Sequence, residues 1–215
     1  VAHARQRPRG TSSAGATGEA VLTRFQGADG ERVPGGNHLF TAARGLFPRV
    51  VLAVDGSYSG DATAIVAVTV EDEPTAALIA LWEPHTQPEG YRVPVLDVME
   101  AVRAAARRFD VAEVIFDPYR YQAVMETLQA ERLPVVAHPQ SPSRMTPATV
   151  GAYEAIVEGR VKICEDERFV RHLLNARVVE NDRATKVQKP HKDSLDKIDA
   201  AVCLIMGMGR ASFLH

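Results

Sequence analysis

Three aspartates stand at positions of the sequence where packing alone would not place an acid. Asp55 and Asp117 each directly follow an apolar run that is typical of a buried strand. Asp199 interrupts the apolar side of a helical pattern further along the chain. Because a carboxylate is costly to bury without a partner, these three residues are the first candidates for chemistry.

Three carboxylates held close together would repel one another, and burial would raise their pKa values, unless a cation lay between them. Oxygen-only ligands favour Mg²⁺ or Mn²⁺, whereas Zn²⁺ prefers His and Cys. Carboxylates that bridge two such ions, roughly 3.5–4 Å apart, support in-line displacement at a phosphodiester. In such a site one ion lowers the pKa of the attacking water and the other stabilises the leaving oxygen.

Each aspartate also has an ordinary structural explanation. An aspartate after a strand is commonly a turn former or the N-cap of a helix, which would account for Asp55 and Asp117. Asp199 could instead form a salt bridge with a nearby lysine or arginine. The three acids together, in this strand order, are more informative than any one of them.

Two further acids could assist as metal ligands. Asp61 follows Asp55 across a Gly-rich turn, although it could equally be a turn residue that begins the next strand. Asp196 precedes Asp199 by three residues, which would place both on nearly the same helix face. An acid that complements the helix dipole is the alternative explanation for Asp196.

The elements that must position these acids follow from the hydrophobic periodicity. The pattern predicts strands at 50–54, 63–70, 76–82, 111–116, 133–137 and 176–180, and helices at 95–109, 121–128, 145–156, 169–174 and 195–206. This order predicts an α/β fold, in which a mixed sheet begins with a three-stranded antiparallel meander and is flanked by helices.

The predicted topology brings the acids to one place. If the first and fourth strands are parallel neighbours, Asp55 and Asp117 emerge at the same edge of the sheet. The last helix, which we expect to end near Gly207 and Gly209, would then lay Asp199 against them.

Length and composition indicate one globular domain. Of the 215 residues, 46% are hydrophobic and 24% are charged, which is enough for a sizeable core. We expect residues 1–48 to be a flexible or extended lead-in to a domain at 49–215. No apolar run reaches the roughly 18–20 residues of a membrane span, and no signal peptide is visible. The two cysteines fit a reducing compartment.

Charge gives a local rather than a global argument for DNA binding. With 25 basic and 27 acidic residues, a net charge of −2 produces no overall attraction to nucleic acid. Positive side chains near the acids could nevertheless hold phosphates, or could simply be solvated. The candidates are Arg120, Arg144, Lys186, Lys189, Lys192 and Lys197. No side-chain pattern for base reading is visible, so we expect weak sequence selectivity.

The segments VVLAVDGSYSGDATAIVAV, VIFDPYRYQAVMETLQ and KPHKDSLDKIDAAVCLIMGMGRA resemble the nuclease domain of bacteriophage terminase large subunits, from about Arg49 to Ala211. The resemblance implies a ribonuclease H-like fold with acids on the first strand, the fourth strand and the last helix. Carried over by position, it makes Asp55, Asp117 and Asp199 the catalytic metal ligands for two Mg²⁺ or Mn²⁺ ions.

The same resemblance implies metal-dependent endonucleolytic cutting of concatemeric double-stranded viral DNA during genome packaging. This would take place in the cytoplasm of the bacterial host, with no membrane partner. A packaging ATPase, a small terminase subunit and a portal would be the further protein partners.

One departure from that family limits the assignment. The sequence contains no Gly-Lys dipeptide, so the phosphate-binding loop GxxxxGK[ST] of a terminase ATPase is absent and we expect only the nuclease half. The alternatives are another ribonuclease H-like nuclease of the junction-resolvase type, an actin-like nucleotide-binding module, and a non-catalytic prophage remnant that binds DNA. The actin-like module needs two duplicated halves, for which this chain is too short.

Overall fold

A computed structural model describes residues 48–57, 61–181, 184–191 and 196–215. The predicted lead-in lies outside these residues except for its last position, so the domain boundary stays a prediction. Lys192 and the centre of the Gly-rich turn, residues 58–60, also lie outside them.

The described strands form a six-stranded mixed sheet and a separate two-stranded hairpin. The strands are β1 (Arg49–Gly56), β2 (Thr63–Thr69), β3 (Thr75–Trp82), β4 (Asp110–Phe116), β5 (Val135–Ala137), β6 (Lys162–Ile163), β7 (Arg177–Asn181) and β8 (Ala184–Gln188). The helices are α1 (Val95–Arg108), α2 (Pro118–Ala130), α3 (Pro142–Val157), α4 (Glu167–Asn175) and α5 (Asp199–Leu214).

The order of strands in the main sheet is β5-β4-β1-β2-β3-β6. Strands β1, β2 and β3 form the predicted antiparallel meander, and β4 pairs with β1 in parallel. Strand β5 then extends the parallel part of the sheet beyond β4. The α/β class and the mixed sheet are therefore confirmed, while β6 and β8 were not predicted.

The two faces of the sheet bury two separate apolar clusters, because alternate residues of a strand point to opposite faces. The face that carries Leu52, Val54 and Phe116 packs against α1 and α2, and is called here the α1–α2 face. The face that carries Ala53 and Ile115 packs against α3, α4 and α5, and is called here the α5 face.

Helix α5 packs closely against strand β2 and helix α3 at two glycines. A Cβ atom added at Gly207 would lie 2.7 Å from Val68 Cγ2, and one at Gly209 would lie 2.9 Å from Ala148 Cβ. The glycines are thus packing positions inside the helix, which continues to Leu214. The prediction that the last helix ends near Gly207 and Gly209 is wrong, because close packing and not termination explains them.

The start of α5 also differs from the prediction. The periodic pattern placed the start at Leu195, which lies outside the described residues, but 196–198 are not helical and the helix begins at Asp199. No helix among the described residues combines the length and apolar character that crossing a membrane requires.

Candidate active site

Strands β1 and β4 bring Asp55 and Asp117 to one edge of the sheet. Their parallel pairing aligns Val54 with Phe116, so the residues that follow, Asp55 and Asp117, lie side by side where the two strands end. Since Ala53 and Ile115 face the α5 side, alternation directs the aspartates two positions further on to the same side. The predicted meeting of the two acids at one edge is confirmed by the strand pairing.

Gly56 shapes the turn that follows Asp55. Its φ of 145° lies in the region that favours glycine, and an added Cβ would overlap the backbone of Ala62 and Thr63. The start of β2 therefore passes directly beside the end of β1, which keeps Asp61 close to Asp55.

Asp117 also serves as a helix N-cap. Its Oδ1 accepts a hydrogen bond from the backbone N–H of Tyr119 at 3.1 Å, at the start of α2. The ordinary explanation given for this residue is thus correct, and it fixes the orientation of the carboxylate at the sheet edge.

Asp199 is the first residue of α5 and only 6% exposed. Its Oδ2 has no hydrogen-bond partner among the described residues. Burial, followed by the like charges of Asp61 and Asp55, raises the pKa of Asp199 to about 8. The salt bridge considered as its alternative explanation is not among the ion pairs of the described part of the chain.

Asp55 receives a hydrogen bond that the sequence did not suggest. Gln140 Nε2 donates to Asp55 Oδ1 at 2.7 Å. Burial nevertheless raises the pKa of Asp55 to about 6, because it outweighs the hydrogen bonds from Gln140 and the Gly56 N–H, and the negative charges of Asp117 and Asp61 add to it.

Asp61 is held by two lysines. Lys189 Nζ and Lys197 Nζ both lie 2.9 Å from Asp61 Oδ1. Burial would raise the pKa of Asp61, but the hydrogen bonds and charges of the two ammonium groups hold it below its usual value. Both lysines were predicted to contact DNA. Here they are bound to Asp61, and the Lys197 side chain is only 7% exposed.

The other predicted residues lie around this edge in different situations. Arg120 donates from a guanidinium nitrogen to Ser57 Oγ at 3.0 Å, directly after β1. Arg144 is exposed at the start of α3, and Lys186 is exposed on β8. Asp196 is exposed and precedes α5, so the prediction that it shares a helix face with Asp199 is wrong.

A buried histidine supports the start of α5. His172 is fully buried, and its Nδ1 accepts the backbone N–H of Ala200 at 3.1 Å. On the other side of the ring, Nε2 lies 3.3 Å from Glu83 Oε1, and Arg171 binds the other oxygen of that carboxylate at 2.6 Å. No spacing signal points to this pair, because Glu83 and His172 are 89 residues apart.

The donor chemistry of the site suits a hard divalent cation, since the groups that point to this edge are carboxylates. Within the described ranges, however, no group of three or more His, Cys, Asp or Glu side chains lies close enough to hold an ion together. What the structure brings together is a set of buried like charges, and burial first, with their mutual repulsion added to it, raises the pKa of Asp55 and Asp199.

Comparison with known proteins gives a consistent family. Residues 80–214 match the family model of the terminase large subunit, endonuclease domain. Over 174 residues the chain is 32% identical to the Gene 13 protein of Mycobacterium phage L5 and, equally, to that of Mycobacterium phage D29. The match covers 75% of this chain and 29% of each relative, so the chain spans less than a third of their length.

Solved structures share the fold at low sequence identity. The HK97 bacteriophage large terminase has a TM-score of 0.60 at 19% identity, over 75% of this chain and 39% of that one. The large terminase nuclease from thermophilic phage G20c with bound magnesium has a TM-score of 0.55 at 14% identity, over 76% and 82%. Since the family model covers more than half of the sequence, the chain belongs to the family of terminase large subunit endonuclease domains.

Proposed function

We propose that this chain is a metal-dependent endonuclease that hydrolyses phosphodiester bonds of double-stranded DNA. The observation that carries the proposal is the carboxylate of Asp199, which is buried beside other acids with an oxygen that has no hydrogen-bond partner among the described residues. A fold without a use for this group would gain stability by replacing it.

The ligands we propose are Asp55, Asp117 and Asp199, with Asp61 and Asp196 as assisting acids. Burial and, to a smaller extent, mutual repulsion raise the pKa of Asp55 and Asp199, and a divalent cation would offset both and draw the carboxylates closer than they lie now. The large terminase nuclease from phage G20c, which shares the fold, has been crystallised with magnesium and with cobalt. We favour two ions, Mg²⁺ or Mn²⁺.

When bound, the cations would supply Lewis-acid polarisation of the phosphoryl group and a lower pKa for the attacking water. The residues of the chain orient the acids for this purpose. Gln140 fixes one oxygen of Asp55, and the N-cap contact fixes one oxygen of Asp117. Lys189 and Lys197 neutralise Asp61, so that DNA phosphates approach a less negative surface.

For DNA contact we propose positive side chains that lie near this edge of the sheet or on the β7–β8 hairpin, which precedes α5. Arg120 is anchored to Ser57 beside Asp117, and Arg144 and Lys186 are exposed. The predicted Lys192 lies outside the described residues, and Lys189 and Lys197 would reach DNA only by leaving Asp61.

For the whole protein we propose the cutting of concatemeric phage DNA during genome packaging, in the cytoplasm of the host cell. The proposal rests on membership of the terminase family and on relatives of phage origin. Those relatives are much longer than this chain, so a packaging ATPase, a small terminase subunit and a portal enter as proposed partners only.

The test is Asp117→Asn, measured as nicking of supercoiled plasmid with Mn²⁺ or Mg²⁺. Asparagine caps a helix about as well as aspartate, so the fold should survive, while a charged ligand is lost. We expect cutting to fall about a hundred-fold or more, since metal catalysis contributes several kcal/mol.

Asp110→Asn is the matched control, because Asp110 is an exposed acid at the opposite end of the same strand. It should leave cutting unchanged. Undiminished cutting by Asp117→Asn would refute the assignment of the site. DNA binding without any cutting by the unchanged chain would favour the non-catalytic alternative, and a preference for four-way junctions would favour a resolvase.

A further inference from the structure

A groove lies between α3 and α5, with a volume of about 520 Å³. One end of the groove is taken here as the part lined by His138, together with Arg144 and Arg210, whose charges both act on it. His138 directly follows β5, whose pairing with β4 aligns Ala137 with Phe116. This end of the groove therefore opens beside Asp117, at the sheet edge that carries the acids.

His138 presents a buried nitrogen to this groove. The residue is 7% exposed, and its Nε2 has no hydrogen-bond partner among the described residues. Its backbone is fixed, because the His138 N–H donates to the carbonyl of Phe116 at 2.7 Å. A buried polar nitrogen without a partner is uncommon in native proteins and indicates a ligand or a water at that place.

The surroundings of the His138 imidazole favour its neutral form. Burial and the positive charges of Arg144 and Arg210 lower the pKa of His138, and the acids Asp117 and Glu113 oppose them only in part. A neutral imidazole still has one N–H that can donate to an oxygen acceptor.

The two arginines, Arg144 and Arg210, differ in whether their charge is already paired. Arg210 is held in place by a bidentate contact with Glu113, at 2.5 and 2.7 Å, so its charge is already matched. Arg144 is exposed and forms no ion pair with another described residue, so its charge is available. The same lining carries Glu71, Asp72 and Glu154, which would repel an anion, and Arg160, whose charge is matched by Glu158. Of the three arginines in the lining, Arg144 is therefore the one whose charge is unmatched among the described residues.

We propose that His138 and Arg144 bind a backbone phosphate of the DNA strand, next to the phosphate that lies at the carboxylates. The proposal deepens the function proposed above and rests on DNA being the ligand. His138 donates one neutral hydrogen bond, and Arg144 supplies the charge that pairs with the phosphate. The subsite would fix the direction in which the strand leaves the cutting site.

The test measures DNA binding by the full chain that carries Asp117→Asn, which should bind without cutting. Binding is measured from the fluorescence anisotropy of a short labelled duplex at several KCl concentrations. Each phosphate contact made by a charged side chain contributes about 0.9 to the slope of log K against log salt. Arg144→Gln should lower the slope by about that amount. Arg132→Asn, an exposed arginine at a left-handed backbone position at the opposite end of β5, is the matched control and should leave the slope unchanged.

His138 is tested by a pair of variants. Loss of one neutral hydrogen bond in His138→Leu should weaken binding about five-fold at every salt concentration, with no change of slope. His138→Gln places an amide nitrogen near the position of Nε2 and should restore most of the affinity. Equal binding by the leucine and glutamine variants, or an unchanged slope in Arg144→Gln, would overturn the subsite.

A histidine-specific proton NMR titration separates the two sources of phosphate. We expect the duplex to shift the His138 ring signals, and inorganic phosphate to shift them weakly and to be displaced by duplex. Phosphate that binds and is not displaced would show a site for free anion, which contradicts the proposal. If these results hold while the unchanged chain fails to cut plasmid, the phosphate subsite stands and the nuclease assignment fails. If the unchanged chain cuts plasmid and the His138 and Arg144 variants bind DNA as it does, the nuclease assignment stands and the subsite fails.

Discussion

The two faces of the central sheet differ in what they bury, although they are built from the same strands. On the α1–α2 face the strands and helices contribute large apolar side chains, among them Leu52, Phe116 and Leu128. The α5 face also buries large side chains such as Phe169 and Leu204, but it contains more alanines than the other face, together with Gly207, Gly209 and the acids. Strand β1 supplies both sets, with Val54 on one side and Asp55 on the other.

The difference teaches that stability and chemistry are separated across one sheet. Large side chains bury more apolar area, so the α1–α2 face contributes more free energy of folding per residue. Small side chains let α5 lie close to the sheet, which is what places Asp199 beside Asp55. Four predictions test this separation, one on the α1–α2 face and three on the α5 face or at its acidic edge.

The largest effect is expected on the α1–α2 face. Leu128→Ala removes a fully buried side chain from α2 and should lower the free energy of unfolding by about 2–5 kcal/mol. Because Leu128 belongs to the apolar cluster of the α1–α2 face, cutting per folded molecule should stay within about two-fold of that of the unchanged chain. Urea unfolding and plasmid nicking at low temperature measure the two quantities. Loss of cutting by a folded Leu128→Ala chain would mean that the faces are not separate.

On the α5 face, adding volume should be the harmful change. In Gly207→Ala the new Cβ would lie 2.7 Å from Val68 Cγ2, and a β-branched side chain cannot easily move away. We expect a loss of about 1–3 kcal/mol in the free energy of unfolding, together with loss of cutting as α5 shifts. Gly151→Ala is the control, since a Cβ there meets nothing within 4 Å, and it should stabilise α3 by about 0.5–1 kcal/mol. Equal stability of the two variants would contradict close packing of α5.

The support for Asp199 can be tested at His172. His172→Leu leaves the buried N–H of Ala200 without its acceptor, which should cost about 1–3 kcal/mol and weaken stabilisation by Mn²⁺. His172→Asn offers an amide oxygen near the position of Nδ1 and should recover most of both losses. Thermal melts with and without Mn²⁺ distinguish them. A leucine variant that melts lower but responds fully to Mn²⁺ would show that the histidine has a purely structural role.

The smallest effect on stability should have the opposite sign. The pKa of Asp199 is about 8 in the folded chain, above its ordinary value of 3.8, so the folded chain binds this proton more tightly. The free energy of unfolding without metal must then fall as the pH rises from about 4 to about 8. Asp199→Asn removes the part of this dependence that comes from Asp199 and leaves the smaller part from Asp55, whose pKa is about 6.

We expect Asp199→Asn to gain about 1 kcal/mol or more at pH 9, where the buried carboxylate of the unchanged chain is ionised and the amide is not, and to gain nothing near pH 4. The same variant should lose the thermal stabilisation that Mn²⁺ gives the unchanged chain. Urea unfolding at the two pH values provides the measurement. A variant that is less stable than the unchanged chain at pH 9 would contradict the unfavourable burial of Asp199.

Much of the fold could be predicted because its signals are local. The β-branched run of β1 and the 3.6-residue period of α1 each mark their element directly. The meeting of Asp55 and Asp117 followed from strand order, since parallel neighbours end at the same edge. Short strands such as β6 carry too few residues for a periodic signal.

The remaining features depend on contacts between distant parts of the chain. Gly207 looks like a helix-ending residue until the packing of Val68 against it is known. Lys197 looks like an exposed DNA contact, but its ion pair with Asp61 bridges 136 positions of the sequence and buries it. Gln140, His138 and His172 lack any spacing motif, because their partners lie on other elements. Local pattern therefore identifies the acids, and long-range contacts identify the residues that surround them.

The position of α5 as the last of the described helices has a consequence for protein synthesis. A nascent chain exposes Asp55 and Asp117 well before Asp199 has left the ribosome. During that interval the small apolar residues of β1 and β2 have no covering helix, which makes them a surface for chaperones. If the chain cuts DNA as proposed, we therefore expect cutting to begin only after α5 has left the ribosome and packed against the sheet.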